Sequence, residues 1–255
     1  MENKDIINKW EDLEINQNLL RGIFAYGFEK PSPIQQKAII PILKGKDVIA
    51  QAQSGTGKTG CFVISALQKI NLEINNLQVL IIAPTRELAY QIKDVAIHIS
   101  NYIKDLEINL LIGGNNLEND FKNLKNNKNH LIIGCPGRIN DMINRKLLDL
   151  STVKLVIIDE ADELLSSGFK EQIYDIFKNF SNSIQLCLFS ATITLALNEL
   201  IEKIMNDPIK IIVKNNQLTL DGIKQFFVKI NDDNEKYDCL KDIFSKIVLS
   251  QTIIF

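Results

Sequence analysis

The sequence predicts an α/β fold in which a mostly parallel central sheet carries helices on both faces. Three observations support this: short β-branched apolar runs recur along the chain, longer segments with helical spacing separate them, and the composition suits a packed core. The runs fall at residues 48–50, 79–83, 110–112, 131–134, 155–158, 186–189 and 209–213. They read as buried strands, because a strand covered on both faces is continuously apolar rather than alternating. Residues 60–70, 87–99, 169–180 and 195–205 lie between them with helical spacing. Such alternation of strand and helix makes a parallel sheet. Ligands bind outside the carboxyl ends of the strands in sheets of this kind, which directs attention to the loops after Ala50, Ile158 and Phe189.

The flanking elements follow the same reasoning. Residues 17–25 read as a helix, and the turn Gly27-Phe28-Glu29-Lys30-Pro31-Ser32-Pro33 follows it, its two prolines fixing a rigid, extended path. Residues 123–129 are rich in Asn and read as a solvated loop. After Val213 the polar stretch Lys214-Asn215-Asn216-Gln217 reads as a linker, followed by a strand at 225–230, a helix at 236–247 and the start of another strand at 252–255. The expected organisation is a main domain over 1–213, a linker over 214–222 and the opening of a second domain over 223–255. The last segment is too small to bury a core of its own.

With 45% hydrophobic and 24% charged residues in 255 positions, the chain has apolar side chains for a core and too balanced a charge for disorder. A net charge of −2 gives no electrostatic footprint of a nucleic-acid binder. Cys61, Cys135, Cys187 and Cys239 lie far apart and read as reduced, mostly buried thiols. His98 and His130 share no metal-ligand spacing with them, so any metal is expected to be oxygen-bound. Residues 1–14 are charged and lack the apolar core of a signal peptide, and no segment reaches the ~20 apolar residues of a membrane span. An intracellular protein with no membrane partner is expected.

The strongest chemical signal is Ala52-Gln53-Ser54-Gly55-Thr56-Gly57-Lys58-Thr59, between a strand and a helix. It fits the phosphate-loop pattern with Ala in place of the first Gly. Gly55 and Gly57 let backbone N–H groups curl around phosphates, Lys58 supplies a point charge to the β and γ oxygens, and Thr59 offers a hydroxyl to Mg²⁺. The helix N-terminus beginning near Gly60 adds its partial positive charge. The second signal is Leu155-Val156-Ile157-Ile158-Asp159-Glu160-Ala161-Asp162, an apolar strand that delivers two adjacent carboxylates to the sheet edge. Asp159 is placed to hold Mg²⁺, and Glu160 to orient or deprotonate the attacking water. Together they describe a phosphate-loop NTPase. The guanine-specifying Asn-Lys-x-Asp pattern is missing, since Asn3, Asn8 and Asn127 precede Lys without Asp at the fourth position, so adenine is favoured.

The string Asp159-Glu160-Ala161-Asp162 is the name-giving motif of the DEAD-box RNA helicases, and companion motifs occur in that family's order. Gly27 to Gln35 resembles its Q motif, with Trp10 at the upstream aromatic position. Pro84-Thr85-Arg86-Glu87-Leu88-Ala89, Gly113-Gly114, Cys135-Pro136-Gly137-Arg138 and Ser190-Ala191-Thr192 resemble motifs Ia, GG, Ib and III. The stretches Ser166 to Phe177 and Leu218 to Phe227 are similar to the initiation-factor-4A group, which includes exon-junction and ribosome-biogenesis members.

The resemblance implies a RecA-like three-layer sandwich, ATP and Mg²⁺ as ligands, and RNA as a partner held through its backbone without sequence reading. It implies that Gln35 reads adenine, with the Lys30 backbone and Phe28 beside the base, and that Ser54, Gly55, Thr56, Gly57, Lys58, Thr59 and Gly60 hold the phosphates. Lys58, Asp159 and Glu160 would carry the chemistry, with Thr59 and Asp159 on the metal. Asp162, Ser190 and Thr192 would couple nucleotide to closure. Pro84, Thr85, Arg86, Gly113, Gly114, Pro136, Gly137 and Arg138 would form the RNA half-site. Cys135 departs from the family's usual Thr and removes a hydroxyl donor there. Further implied are a protein scaffold of the translation or RNA-processing machinery, and a cytoplasmic or nuclear location. The family completes both sites with a second RecA-like domain. Of the four arginines, Arg21, Arg86, Arg138 and Arg145, none follows the linker, so this chain is expected to bind adenine nucleotide but to show little RNA-stimulated ATPase and no unwinding. The expected function is ATP-dependent RNA unwinding; the alternatives are a non-catalytic ATP-dependent RNA clamp and a phosphate-loop ATPase unrelated to RNA.

Overall fold

The computed structural model describes residues 6–126, 128–180, 184–213, 226–230, 232–247 and 251–254. The chain separates into two units, Met1–Leu218 and Thr219–Phe255.

The first unit is built on seven strands: β1 (Val48–Gln51), β2 (Val79–Ile82), β3 (Ile108–Leu111), β4 (Leu131–Gly134), β5 (Leu155–Ile158), β6 (Gln185–Ser190) and β7 (Ile209–Ile212). They lie in the order β3-β4-β2-β5-β6-β1-β7, and every pairing is parallel. Successive residues alternate between two apolar layers. Val48, Ala50, Val79 and Ile81 join one core, while Ile49, Leu80 and Ile82 join the other, as the two-residue period of a strand dictates.

The first core is closed by α1 (Gln17–Ala25), α2 (Pro33–Leu43), α3 (Lys58–Lys69) and α4 (Arg86–Ile99). The second is closed by α5 (Leu117–Asn126), α6 (Pro136–Asn144), α7 (Ala161–Ser166), α8 (Lys170–Lys178) and α9 (Leu195–Ile204). The result is the three-layer α/β/α sandwich that the alternation predicts. At the centre of the first core Phe62 of α3 meets Phe189 of β6 edge to face, with centroids 5.1 Å apart. Each is fully buried, which contributes roughly 2–3 kcal/mol per ring.

Two regions differ from expectation. Residues 33–43 are helical directly after the proline turn, because Pro33 occupies the first helical position, where its missing N–H is no loss, and Gln35 Oε1 accepts from the Ser32 N–H at 2.7 Å. Residues 123–126, expected in a loop, continue α5. Phe121 and Leu124 pack on the second core at helical spacing, and that burial overrides the Asn-rich composition. Of the four cysteines, Cys61 and Cys187 are buried, whereas Cys135 and Cys239 are partly exposed; all are free thiols. No helix among the described residues is long and apolar enough to cross a membrane.

In the second unit, α10 spans Asp233–Lys246, three residues earlier at its start than expected. Residues 226–230 and 251–254 carry no strand. A strand is defined by exchange of backbone hydrogen bonds with a neighbour, and among the described residues of this unit there is none to exchange with. The expected linker and Gln225 lie outside the described residues.

Candidate nucleotide site and nucleic-acid interface

Strand order sorts the chemistry-bearing loops into two neighbouring groups along the carboxyl edge. β1, β5 and β6 are adjacent and end in the phosphate loop, the Asp159 segment and the Ser190 segment; β2, β4 and β3 are adjacent and end at Pro84, Cys135 and Gly113. Register keeps these ends level: Ile82 pairs with Ile158 and Gly134, and Gln51 with Ser190.

In the first group the phosphate loop turns through Gly55 and Gly57 at φ of 79° and 92° and enters α3 at Lys58. A cavity of about 370 Å³ opens above it, lined by Ser54, Gly55, Gly57, Lys58, Thr59, Gly60, Asp159 and Glu160, with Phe28 and Tyr26 on one side. The first turn of α3 points unpaired N–H groups at this space, which suits an anion. Thr56 is turned away, its hydroxyl donating to the Gln53 carbonyl at 2.7 Å. Lys58, 5% exposed, pairs with Glu160 at 2.8 Å. Glu160 itself sits in the left-handed region at φ 44°, ψ 54°, a conformation that costs a non-glycine residue about 1–2 kcal/mol and gathers at functional sites.

Asp159 is 4% exposed, and its Oδ1 has no hydrogen-bond partner. Burial, then the neighbouring Glu160 charge, raise its carboxyl to about 7, while Lys58 opposes them. An orphaned buried carboxylate oxygen, on a residue that lines the same cavity as Thr59, fits a hard divalent cation such as Mg²⁺, which takes one or two protein oxygens and fills its shell with water and phosphate.

Gln35 lies 2% exposed behind the loop, with both ends of its amide held by protein: Oε1 by the Ser32 N–H, and Nε2 donating to the Gly57 carbonyl at 3.1 Å. Lys30 is exposed and is not part of the cavity wall. Gly60 is required by close approach, since a Cβ there would fall 2.6 Å from the Phe28 ring and 2.8 Å from Gln35 Nε2. Phe28 stacks on the fully buried Trp10, with centroids 6.2 Å apart and 22° between the planes.

Next along the edge, Asp162 Oδ2 accepts from the Thr192 hydroxyl at 2.6 Å and from the Thr192 N–H at 2.9 Å. The Ser190 hydroxyl accepts from the Asp162 N–H at 3.3 Å and donates to the Thr192 carbonyl at 2.8 Å. Burial works to raise the Asp162 carboxyl, but these hydrogen bonds outweigh it and hold it below its usual value. The bonds tie the end of β6 to the start of α7, two residues from Glu160.

In the second group Pro84, Thr85, Arg86, Gly113, Gly137 and Arg138 share a cavity of about 420 Å³ with Glu87, Cys135 and Phe169. The Thr85 hydroxyl caps α4 by accepting from the Leu88 N–H at 3.2 Å. The exposed Arg86 lies across the glycine pair: a Cβ on Gly114, at φ 89°, would stand 2.6 Å from its Nη1. Arg138 is different. Its side chain is 9% exposed and forms an ion pair with Asp120 of α5, 6% exposed, while its Nη2 donates to the Asn115 carbonyl at 3.1 Å. Pro136 is buried at the first position of α6.

Sequence reasoning missed several of these residues. Leu88, Gln91 and Val95 line the nucleotide cavity from one face of α4, at a spacing of three and four that a helical reading of that segment contains. Asp120 gave no signal, because the helix that carries it was hidden by composition.

The chain matches the family described as DEAD/DEAH box helicase over residues 32–200. It is 48% identical over 251 residues to the ATP-dependent RNA helicase eIF4A of Neosartorya fischeri, and 47% identical over 251 residues to that of Meyerozyma guilliermondii; each alignment covers 98% of this chain and 63% of the relative. Among solved structures, a DEAD box protein from Methanococcus jannaschii superposes with a TM-score of 0.79 at 34% identity, covering 94% of this chain and 64% of that one. Dbp5 of S. cerevisiae, bound to RNA and ADP BeF3, superposes with a TM-score of 0.80 at 31% identity, over 94% of this chain and 60% of that one. The chain thus spans somewhat less than two thirds of the length of these relatives. Motifs in register along one sheet edge, a RecA-like three-layer sandwich and these matches give one answer: the chain belongs to the DEAD-box helicase family, in its eIF4A-like group.

Proposed function

We propose that the chain is the ATP-binding part of an ATP-dependent RNA helicase. The observation that carries this reading is the convergence of Lys58, Thr59, Asp159 and Glu160 on one cavity at the end of β1 and β5. Lys58 is the point charge for the β and γ phosphate oxygens, and the turn from Ser54 to Gly60 supplies backbone N–H groups around them. Thr59 and Asp159 are the protein ligands of Mg²⁺, which when bound offsets the charge of the phosphates. Binding of the phosphates draws Lys58 away from Glu160, and the freed carboxylate orients the attacking water and accepts its proton.

Base recognition falls to Gln35 and Phe28. Gln35 exchanges its bond to the Gly57 carbonyl for the adenine edge, so nucleotide choice and loop opening are linked through one amide. Asp162, Ser190 and Thr192 pass the state of the Glu160 segment to the end of β6. RNA lies across the β2, β3 and β4 loops, with Arg86 and backbone N–H groups on its phosphates. Such contacts do not read bases.

The test is RNA-stimulated ATP hydrolysis and strand separation by the whole protein from which this chain comes. ATP turnover raised by single-stranded RNA, with GTP a poor substitute, is the expected result. Turnover indifferent to RNA would sink the RNA half of the reading while leaving the ATPase half standing.

A further inference from the structure

A cavity of about 950 Å³ opens at the amino edge of the sheet, opposite the nucleotide site. Its position follows from the topology. In a parallel sheet each helix ends where the next strand begins, so the ends of α3, α8 and α9 surround the starts of β1, β5 and β6. Four lysines converge there: Lys46 and Lys154 just ahead of β1 and β5, Lys69 at the end of α3 and Lys203 in the last turn of α9.

Their charge is poorly compensated. Two carboxylates belong to the wall, and one of them, Asp47, is already used by the backbone N–H groups of Leu186 at 2.8 Å and Asn206 at 3.1 Å. Among the described residues no carboxylate pairs with Lys46, Lys69 or Lys154. Helix C-termini account for Lys69 and Lys203, whose charges complement the dipoles of α3 and α9. Lys46 follows the end of α2, its N–H donating to the Pro41 carbonyl at 3.1 Å, so a helix C-terminus accounts for it too, but none accounts for Lys154. Burial lowers the Lys69 and Lys154 ammonium groups below their usual value, and the Lys69 charge adds to the effect on Lys154, as clustering of like charge requires.

The cavity is not a closed pit. A second hollow, of about 680 Å³, continues it between α8 and α9 and shares Phe177, Lys203 and Ile204 with it. Lys203 Nζ lies 5.3 Å from the centre of the Tyr174 ring in that second hollow. One groove therefore has a cationic end and, in the second hollow, an apolar floor of Phe177 and Ile204 flanked by Glu171 and by Asp175, whose charge is met by Lys178 at 2.9 Å.

We propose that this groove docks an acidic segment of a partner protein, with its carboxylates among Lys46, Lys69, Lys154 and Lys203 and an apolar side chain against Phe177 and Ile204. A compact anion would leave the second hollow and its apolar floor unused. Single-stranded nucleic acid fits worse, because the lysines ring a concavity rather than track a line, and Phe177 and Ile204 are partly buried rather than presented as stacking platforms. The groove also lies at the edge remote from Arg86 and Gly114.

The experiment uses the 255-residue chain and a fluorescein-labelled peptide alternating Glu with Leu and Phe, followed by fluorescence anisotropy. Saturable binding is expected, weakened at least about tenfold by Lys69→Glu with Lys154→Glu and retained by Lys69→Arg with Lys154→Arg, while ADP binding is unchanged. A peptide with Lys in place of every Glu should not bind. If the charge-reversed chain does not fold, Lys46→Ala with Lys154→Gln makes the same comparison. No saturable binding, equal affinity in the reversed chain, equal binding of the Lys peptide, or displacement of the peptide by polyuridine would each overturn the proposal, the last by reassigning the groove to nucleic acid.

Discussion

Lys58 and Glu160, on the β1, β5 and β6 half of the carboxyl edge, and Arg138 and Asp120, on the β2, β3 and β4 half, are both buried ion pairs in different surroundings. Lys58 holds one carboxylate, which is 18% exposed, sits on strained backbone and stands next to a second carboxylate with an orphaned oxygen. Negative charge is in excess there, and a phosphate-bearing ligand can replace Glu160 as the partner of Lys58. Arg138 is held twice, by Asp120 and by the Asn115 carbonyl, and both charged side chains are more than nine-tenths buried. The first pair is built to exchange partners. The second pins α5 and the loop after β3 to α6. Being buried does not make an ion pair structural; the partners available for exchange decide that.

The largest effect should come from the exchangeable pair. Glu160→Gln keeps a polar group beside Lys58, so nucleotide binding should survive, while ATP turnover by the whole protein falls by roughly 10²–10⁴. It should cost less stability than loss of Asp120, because the neighbouring Asp159 carboxylate still faces Lys58. A turnover close to wild type would remove the distinction between the two pairs on the chemical side.

Asp120→Ala should do the reverse. It leaves the Arg138 guanidinium buried without its counter-charge, at a cost of about 3–5 kcal/mol in urea denaturation. Replacing both partners, Asp120→Leu with Arg138→Met, should recover most of that loss, since the pair gains little over apolar packing of similar volume. If Asp120→Ala were harmless, Arg138 would be free to serve as a phosphate ligand and the comparison would collapse.

A smaller effect is expected at Gln35. Gln35→Ala removes the bond to the Gly57 carbonyl and the proposed adenine contact together, which should narrow the preference for ADP over GDP in calorimetry by about tenfold. Lys58 should still hold the phosphates of both. An unchanged preference would assign base choice to another residue.

The smallest effect separates both pairs from the rest of the fold. His130 is fully buried at the head of β4, its Nδ1 accepting from the Glu107 N–H at 3.0 Å and its Nε2 without a partner. Burial, then the Lys128 charge, push its imidazole below 6.5. The unfolded chain therefore takes up this proton more readily than the folded one. The stability His130 contributes is complete above pH 6.5 and is lost as the pH falls below that value through the lowered native one. A His130→Gln chain that lost stability over the same range would move the acid sensitivity elsewhere.

The sheet and the phosphate-binding half were legible in the sequence because their signals are local. β-branched runs such as Leu155 to Ile158 announce buried strands, and Gly55, Gly57 and Lys58 follow one another in a single turn. The Asp162 and Thr192 contact became readable only through resemblance, since it joins residues 30 positions apart. Asp120 was not legible at all. It lies on a helix whose apolar residues, Phe121 and Leu124, are few among polar neighbours, and its partner is 18 positions away on α6, beyond β4. α2 was missed for the opposite reason: Pro31 and Pro33 read as punctuation, and one of them was a helix start.

The stacking of Trp10 on Phe28 has a practical consequence. Trp10 is the sole tryptophan of the chain, its indole N–H is buried without an acceptor, and its ring rests on the aromatic residue that lines the nucleotide cavity. Indole emission depends on the groups around the ring. A ligand that shifts Phe28 should change the emission of this one fluorophore, so titrating ADP into the unlabelled chain under ultraviolet excitation reads occupancy of the cavity directly.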